Sequence, residues 1–392
     1  MTKKYLKFSE PLIEKPEIAE VIKTLNSGWL TTGKKTKLFE DNFKKYKKTK
    51  YALAVNSCTA ALHLSLLCLK LKKNDEVITS ALTFASTVNS IVHSGGKPVI
   101  ADVEFETQNI DPDAILKKIN KKTKAIIVVH FAGRPCDMKK IKKICIKFKL
   151  KLIEDCAHSI ETLFHGKNVG SFGDFGCFSF YATKNLVTGE GGMLTTNNKK
   201  YYEKAKVLSL HGMDKDAFKR FGSGGYKHYD VSEIGFKYNM MDLQAAIGIH
   251  QLKKINESHK KRKIIWDIYN KNFRSLAINL PKIINNKTKH AYHLYTILIN
   301  KKNSGLNRDE FIKKMHKFKI GIGIHYRSMP EHSIYKKKFS WKLNDYPNAK
   351  KIGRETVSIP LSPKLTLSDI KRVVIAVKKI VKKKPKVSPN NI

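Results

Sequence analysis

A lysine that is to act as a nucleophile near neutral pH must shed its proton, which calls for a rigid and partly dry position. Lys184 has such surroundings. The stretch GDFGCFSFYATKNLVTGEGG opens with an apolar, aromatic run, Phe175–Tyr181, of buried-strand composition. Lys184 follows, then a turn carrying Gly189, Gly191 and Gly192, then a second strand-like run, Met193–Thr196. A Schiff-base lysine needs that placement. The chain is crowded with lysines, most of them solvated surface charge, so position alone does not single this one out.

Three other stretches carry complementary chemistry. Asn56-Ser57-Cys58-Thr59 joins a strand at Tyr51–Val55 to a helix at Ala60–Leu71, and hydroxyls with free N–H groups at a helix start hold anions such as phosphate. Plain capping by Ser57 or Thr59 accounts for the same residues. Asp155 ends the apolar strand in LIEDCAHS, where a carboxylate is costly without a cation; a protonated pyridine nitrogen would be one, and a helix cap is the plainer reading. His158 lies within one turn of it. Phe84 is either core or a flat face for a ring. A phosphate cup, an aromatic face, an aspartate and a lysine together make the parts of a pyridoxal 5′-phosphate (PLP) site.

The elements that must position these residues alternate. Strands at Glu76–Thr79, Lys97–Asp102, Ala125–His130 and Leu150–Glu154 are interleaved with helices at Phe84–Ser94, Asp113–Ile119 and Asp137–Phe148. That rhythm predicts an α/β fold with a mostly parallel sheet covered on both faces, and ligands at the carboxyl ends of its strands. Phe84, Asp155 and Lys184 all lie just past such ends. No GxGxxG follows the first strand, which argues against a dinucleotide fold. Beyond it, helices at Asp242–Leu252, Glu257–Asn272, Arg308–Phe318 and Leu367–Val381, with strands at His290–Ile299 and Gly321–Tyr326, predict a smaller second lobe. The segment His211–Tyr238 reads as a loop over the site, its own or a partner's.

With 392 residues, two lobes are expected. The formal net charge of +43 is nearly all lysine, spread from Lys3 to Lys386, with no helix-turn-helix, RNP-like or zinc-finger pattern. It is read as solvated faces that favour anionic substrates, and specific nucleic-acid binding is the weaker reading. Six scattered cysteines without a CxxC pair or metal-ligand spacing fit a reducing compartment. No apolar run of membrane-spanning length and no leader pattern occurs, so a cytoplasmic protein is expected, without membrane insertion.

The segments NSCTAALHL, DEVITSALTFASTVNSI, TKAIIVVHFAGRPCDM, LIEDCAHSIET, GDFGCFSFYATKNLVTGEGGML and GFKYNMMDLQAAIGIHQL resemble the DegT/StrS-type sugar aminotransferases, in order, from about residue 8 to about residue 380. The resemblance implies a PLP-dependent transferase of fold type I, with a large PLP-binding domain over residues 1–252, a smaller C-terminal α+β domain over 253–381, and a tail at 382–392. Lys184 then matches the cofactor-bonding lysine, Asp155 the partner of the pyridine nitrogen, and His158 a neighbour of the cofactor's 3-oxygen. Phe84 takes the ring face. Cys58, Thr59 and Ser179 fall at phosphate-cup positions, although Cys58 stands where the family commonly has Gly or Ala. Asn239 resembles a phosphate contact made from the second subunit of a homodimer with shared sites. His325, Arg220 and Tyr181 are candidate substrate contacts. The implied reaction moves an amino group from an amino acid, L-glutamate by resemblance, to a keto group on a nucleotide-linked sugar. The nearest likeness is to enzymes making UDP-4-amino-4-deoxy-L-arabinose. Action at another ring position or on a keto-cyclitol are the alternatives. A dehydratase of the same fold carries histidine where Lys184 stands, and a regulatory member would have lost site residues.

Overall fold

Strands that are apolar on both faces need cover on both faces. The computed structural model describes residues 4–214, 228–284 and 287–383. Seven strands form its main sheet: β1 (Tyr51–Val55), β2 (Glu76–Ser80), β3 (Lys97–Ala101), β4 (Thr123–Val129), β5 (Lys151–Asp155), β6 (Phe175–Ser179) and β7 (Gly192–Thr196). Their spatial order is β1-β7-β6-β5-β4-β2-β3. β7 pairs antiparallel with both β1 and β6, and the pairs among β2 to β6 are parallel. The sheet is therefore mixed but mostly parallel, as the α/β fold of type I requires.

Helices pack on both faces. These are α1 (Lys15–Asn26), α2 (Lys34–Lys47), α3 (Cys58–Cys68), α4 (Ala85–His93), α5 (Pro112–Leu116), α6 (Met138–Lys147), α7 (Lys199–Leu208) and α8 (Asp242–Lys253). α3 is apolar all round and is almost wholly buried, as a helix under a sheet must be. A separate core gathers residues from Ile265 to Val381. It is built by α9 (Ile255–Phe273), α10 (Arg308–Lys317) and α13 (Leu367–Ile380) around the antiparallel pair β8 (Tyr295–Leu298) and β9 (Thr356–Ile359), whereas α11 (Ser333–Phe339) and α12 (Pro347–Glu355) pack in another cluster with Ala81, Leu82 and Val88.

Two expected strands differ. Gly321–Tyr326 is no strand: it keeps one bridge, Gly323 to Ser358, while Gly321 N–H donates to Leu6 of the N-terminal arm. The run from His290 becomes a strand only at Tyr295, because Ala291, His293 and Leu294 give their N–H groups to the Gly133 and Ala132 carbonyls. Both irregular segments are thereby turned toward the carboxyl ends of the main sheet.

Candidate active site

Those strand ends surround one cavity of about 500 Å³. Its lining includes Cys58 and Thr59 from the start of α3, Phe84 before α4, Asp155 and His158 after β5, Ser179, Tyr181 and Lys184 after β6, and His325. Nine residues singled out in the sequence thus meet in one place. Ser57 caps α3 by accepting the Ala60 N–H at 3.1 Å, and the first helical N–H groups, Cys58 and Thr59, have no acceptor within the helix. Gly192 lets β7 pass against this turn. A Cβ there would stand 2.6 Å from Cys58 N and 2.4 Å from Ser57 C.

Asp155 is 4% exposed. Its carboxylate accepts the Thr87 hydroxyl at 3.0 Å and the Ala157 N–H at 3.1 Å, and no cationic side chain among the described residues pairs with it. Burial therefore pushes its pKa up, against the Ala157 and Thr87 contacts and the charge of Lys184. Lys184 is half-buried, and its amine makes no hydrogen bond among the described residues. Burial pulls it down to about 8, opposed by Cys58 and Asp155. A neutral amine is thus within reach at physiological pH. His158 is held far below its usual value by burial and by the neighbouring Lys184 and His325. His325 falls to about 3 for the same first reason, with Lys184 adding to it. Phe84 is 59% and Tyr181 46% exposed, so two aromatic faces stand bare on the wall.

Sequence reasoning passed over Thr87, Ser86, Thr83, Glu190 and Tyr326. Thr87 sits one turn into α4 behind Phe84, a position that periodicity marks only as buried. Tyr326 was hidden inside the supposed strand. Asn239 does not reach this cavity. It pairs with Val55 and lines a separate hollow of about 740 Å³ with Thr32, Lys37 and Met213, and its side-chain oxygen is buried without a partner among the described residues. Arg220 lies outside the described residues.

One buried cluster, His130, Glu154 and Cys156, has metal-ligand composition. Two of its three members are already committed. His130 Nδ1 accepts the Cys136 N–H, so Nε2 carries the proton that Glu154 accepts at 3.1 Å. Glu154 also accepts three backbone N–H groups, from Gly170, Phe172 and Gly173.

The cavity residues fit PLP. A buried carboxylate lacking a cation suits a pyridinium nitrogen, and the uncapped N–H groups beside Gly192 suit a phosphate. Comparison with known proteins agrees. Residues 11–378 match the DegT/DnrJ/EryC1/StrS aminotransferase family. The spore coat polysaccharide biosynthesis protein SpsC of Bacillus subtilis is 44% identical over 96% of this chain and 97% of its own. Spr1654 of Streptococcus pneumoniae, described as a sugar aminotransferase and solved in its PMP form, superposes with a TM-score of 0.89 at 31% identity, over 96% of this chain and 98% of its own. Helicobacter pylori PseC, an aminotransferase of pseudoaminic acid biosynthesis, gives 0.88 at 30% identity over 96% and 98%. The cavity and the likeness over nearly the whole chain lead to one identification: this chain belongs to the DegT/DnrJ/EryC1/StrS aminotransferase family and is a PLP-dependent aminotransferase.

Proposed function

We propose that the enzyme moves an amino group from an amino acid, L-glutamate foremost, to the keto group of a nucleotide-linked sugar, with a UDP-4-keto sugar as first choice. The observation that carries the chemistry is the cavity in which Lys184, depressed to about 8, stands near a buried Asp155 that has no cationic partner among the described residues. The sugar substrate rests on the relatives, whose names place SpsC in spore coat polysaccharide synthesis and PseC in pseudoaminic acid synthesis. The bare rings of Phe84 and Tyr181 at the wall suit planar and sugar rings.

PLP, when bound, supplies the electron sink that stabilises a carbanion at the amino acid α-carbon. The chain's own residues do the rest. Asp155 would hold the pyridinium proton, the N–H groups of Cys58 and Thr59 with the Ser179 hydroxyl would hold the phosphate, and Phe84 would cover the ring. Lys184 Nζ takes a proton from the α-carbon of the donor and returns one to the other side of the exchange, as general base and then acid.

A homodimer with shared sites completes this reading, with the chain divided at about residue 252 into its two lobes. Two features support the dimer. Asn239 keeps a buried oxygen, unpartnered among the described residues, away from its own chain's cavity. α1 presents Ile18, Ile22 and Leu25 to solvent while burying Glu17 and Thr24, the reverse of a surface helix. Ile22→Asp is expected to shift sedimentation toward the monomer and to lower activity with it.

The functional test is the visible spectrum of the PLP-loaded enzyme before and after L-glutamate, followed by a panel of keto-sugar nucleotides in the same cuvette. Glutamate should convert the lysine-bound cofactor to its amine form, and a UDP-4-keto sugar should restore it. Conversion by glutamate with no return on any nucleotide-linked keto sugar would overturn the substrate assignment.

A further inference from the structure

Tyr326 lines the cavity, its ring 5.8 Å from that of Phe84. Its hydroxyl lies 3.0 Å from His158 Nε2. Which of the two donates is fixed by the other side of the imidazole. His158 Nδ1 accepts the Ala132 N–H at 3.2 Å, and a ring nitrogen that accepts carries no proton. The proton of a neutral ring therefore sits on Nε2 and is given to the Tyr326 oxygen. A second proton on Nδ1 would face the Ala132 N–H donor head on.

The phenol, having accepted, keeps its own O–H for something else. Among the described residues it has no other hydrogen-bond partner. The phenol also stays protonated, since burial first, and then the charges of Asp155 and Cys58, raise it far above its ordinary value. We propose that Tyr326 donates this hydrogen bond to an oxygen of the molecule held in the cavity, with His158 acting as the positioning residue that aims it. Where that oxygen is the cofactor's 3-oxygen, the expected direct approach of His158 gives way to a contact from Tyr326, because the single N–H of His158 is already committed.

The groups behind His158 hold its ring in place. His293 packs against it with ring centroids 4.4 Å apart. His293 Nδ1 donates to Asn185 Oδ1 at 3.0 Å. The amide cannot be flipped, because Asn185 Nδ2 faces only acceptors: both Glu161 oxygens, at 2.9 and 3.0 Å, and the Ala291 carbonyl at 2.8 Å. His293 is thus held by a bonded group with its donors set, anchored on the residue that follows Lys184, and it braces His158 through ring packing alone.

The acceptor oxygen belongs either to the cofactor ring or to the substrate, and Tyr326→Phe separates the two. The first readout is the pH midpoint of the visible band of the PLP-loaded enzyme without substrate. A phenolic oxygen that loses its donor holds the proton shared with the lysine-derived nitrogen more tightly, so the midpoint should rise by about one pH unit. His158→Gln can still accept from Ala132 and donate to Tyr326, and should keep the parental midpoint; His158→Leu should move it toward that of Tyr326→Phe. If the midpoint stays put but amino transfer to the keto substrate slows about tenfold with the donor half-reaction intact, the acceptor is a substrate oxygen. Parental midpoint and parental rates in both half-reactions, in a Tyr326→Phe protein with parental circular dichroism and Tm, would overturn the proposal. The test needs no knowledge of the nucleotide, so its failure is distinct from failure of the substrate assignment.

Discussion

Glu154 and Asp155 are consecutive carboxylates on one strand, β5, both buried, and they face opposite sides of the sheet. Glu154 is saturated. It accepts from His130 and from three backbone N–H groups, and although burial alone would raise its pKa, these partners leave it lowered. Asp155 has one hydroxyl, one N–H, a long contact from the Cys58 thiol at 3.9 Å and, among the described residues, no cation, and its pKa is raised. The lysines form a second such pair. Lys47 and Lys184 are both pulled to about 8 by burial, but Lys47 donates to the Ile160 carbonyl at 2.8 Å and lies over the Phe178 ring, whereas the Lys184 amine faces the cavity. Burial and a shifted pKa do not separate a working residue from a structural one. An unfilled partner list does.

Removing each lysine in turn separates the two most strongly. Lys184→Ala should abolish transfer, by about 10⁴-fold or more, and leave the unfolding midpoint unchanged. Lys47→Met should cost about 1–3 kcal/mol in denaturant unfolding by orphaning the Ile160 carbonyl, with the PLP spectrum retained. Equal stability losses in both would dissolve the distinction. The carboxylates come next. Asp155→Asn should slow transfer by about 10²–10⁴-fold while the cofactor-free protein is as stable as the parent or more so, because an uncompensated buried charge is gone. Glu154→Gln should instead cost about 3–5 kcal/mol of stability, since it leaves one or more of four inward-pointing donors poorly matched.

What the sequence made legible follows from the same division. Apolar strand runs and the residues just past them were readable, because strand composition and the carboxyl-end rule are local. Lys184, Asp155, Phe84 and Cys58 were found that way. Tyr326 was not, since its partner His158 is 168 residues distant and its segment carries strand-like residues whose backbone bonds go elsewhere. Glu154 was invisible for a different reason: its satisfaction comes from loop N–H groups at Gly170, Phe172 and Gly173, and no side-chain pattern announces those. The antiparallel entry of β7 between β1 and β6 likewise left no local trace.

Glu40 of α2 extends the comparison to pH. It is buried with Oε1 accepting the Ala54 N–H at 2.9 Å, and burial lifts it from 4.5 to about 7. Between those values the folded protein holds a proton that the unfolded chain releases, so stability should fall as pH rises from 4.5 to 7, by about 3 kcal/mol. Glu40→Gln keeps an acceptor for Ala54 and should flatten that slope. A slope unchanged in chemical denaturation across this window would assign the pH dependence to other groups.

The smallest effect tests a residue on the border between the two classes. Ser57 caps α3 through the Ala60 N–H and also lines the cavity. If its hydroxyl serves the helix and the phosphate is held by the N–H groups of Cys58 and Thr59, Ser57→Ala should cost about 1 kcal/mol of stability. The affinity for PLP should then fall by less than about threefold, because the backbone donors remain in place. An affinity loss above tenfold with a stability loss near zero would reverse the assignment. Ser57 would then have its partner in the cofactor, as Asp155 does, and the cap of α3 would be the lesser part of its role.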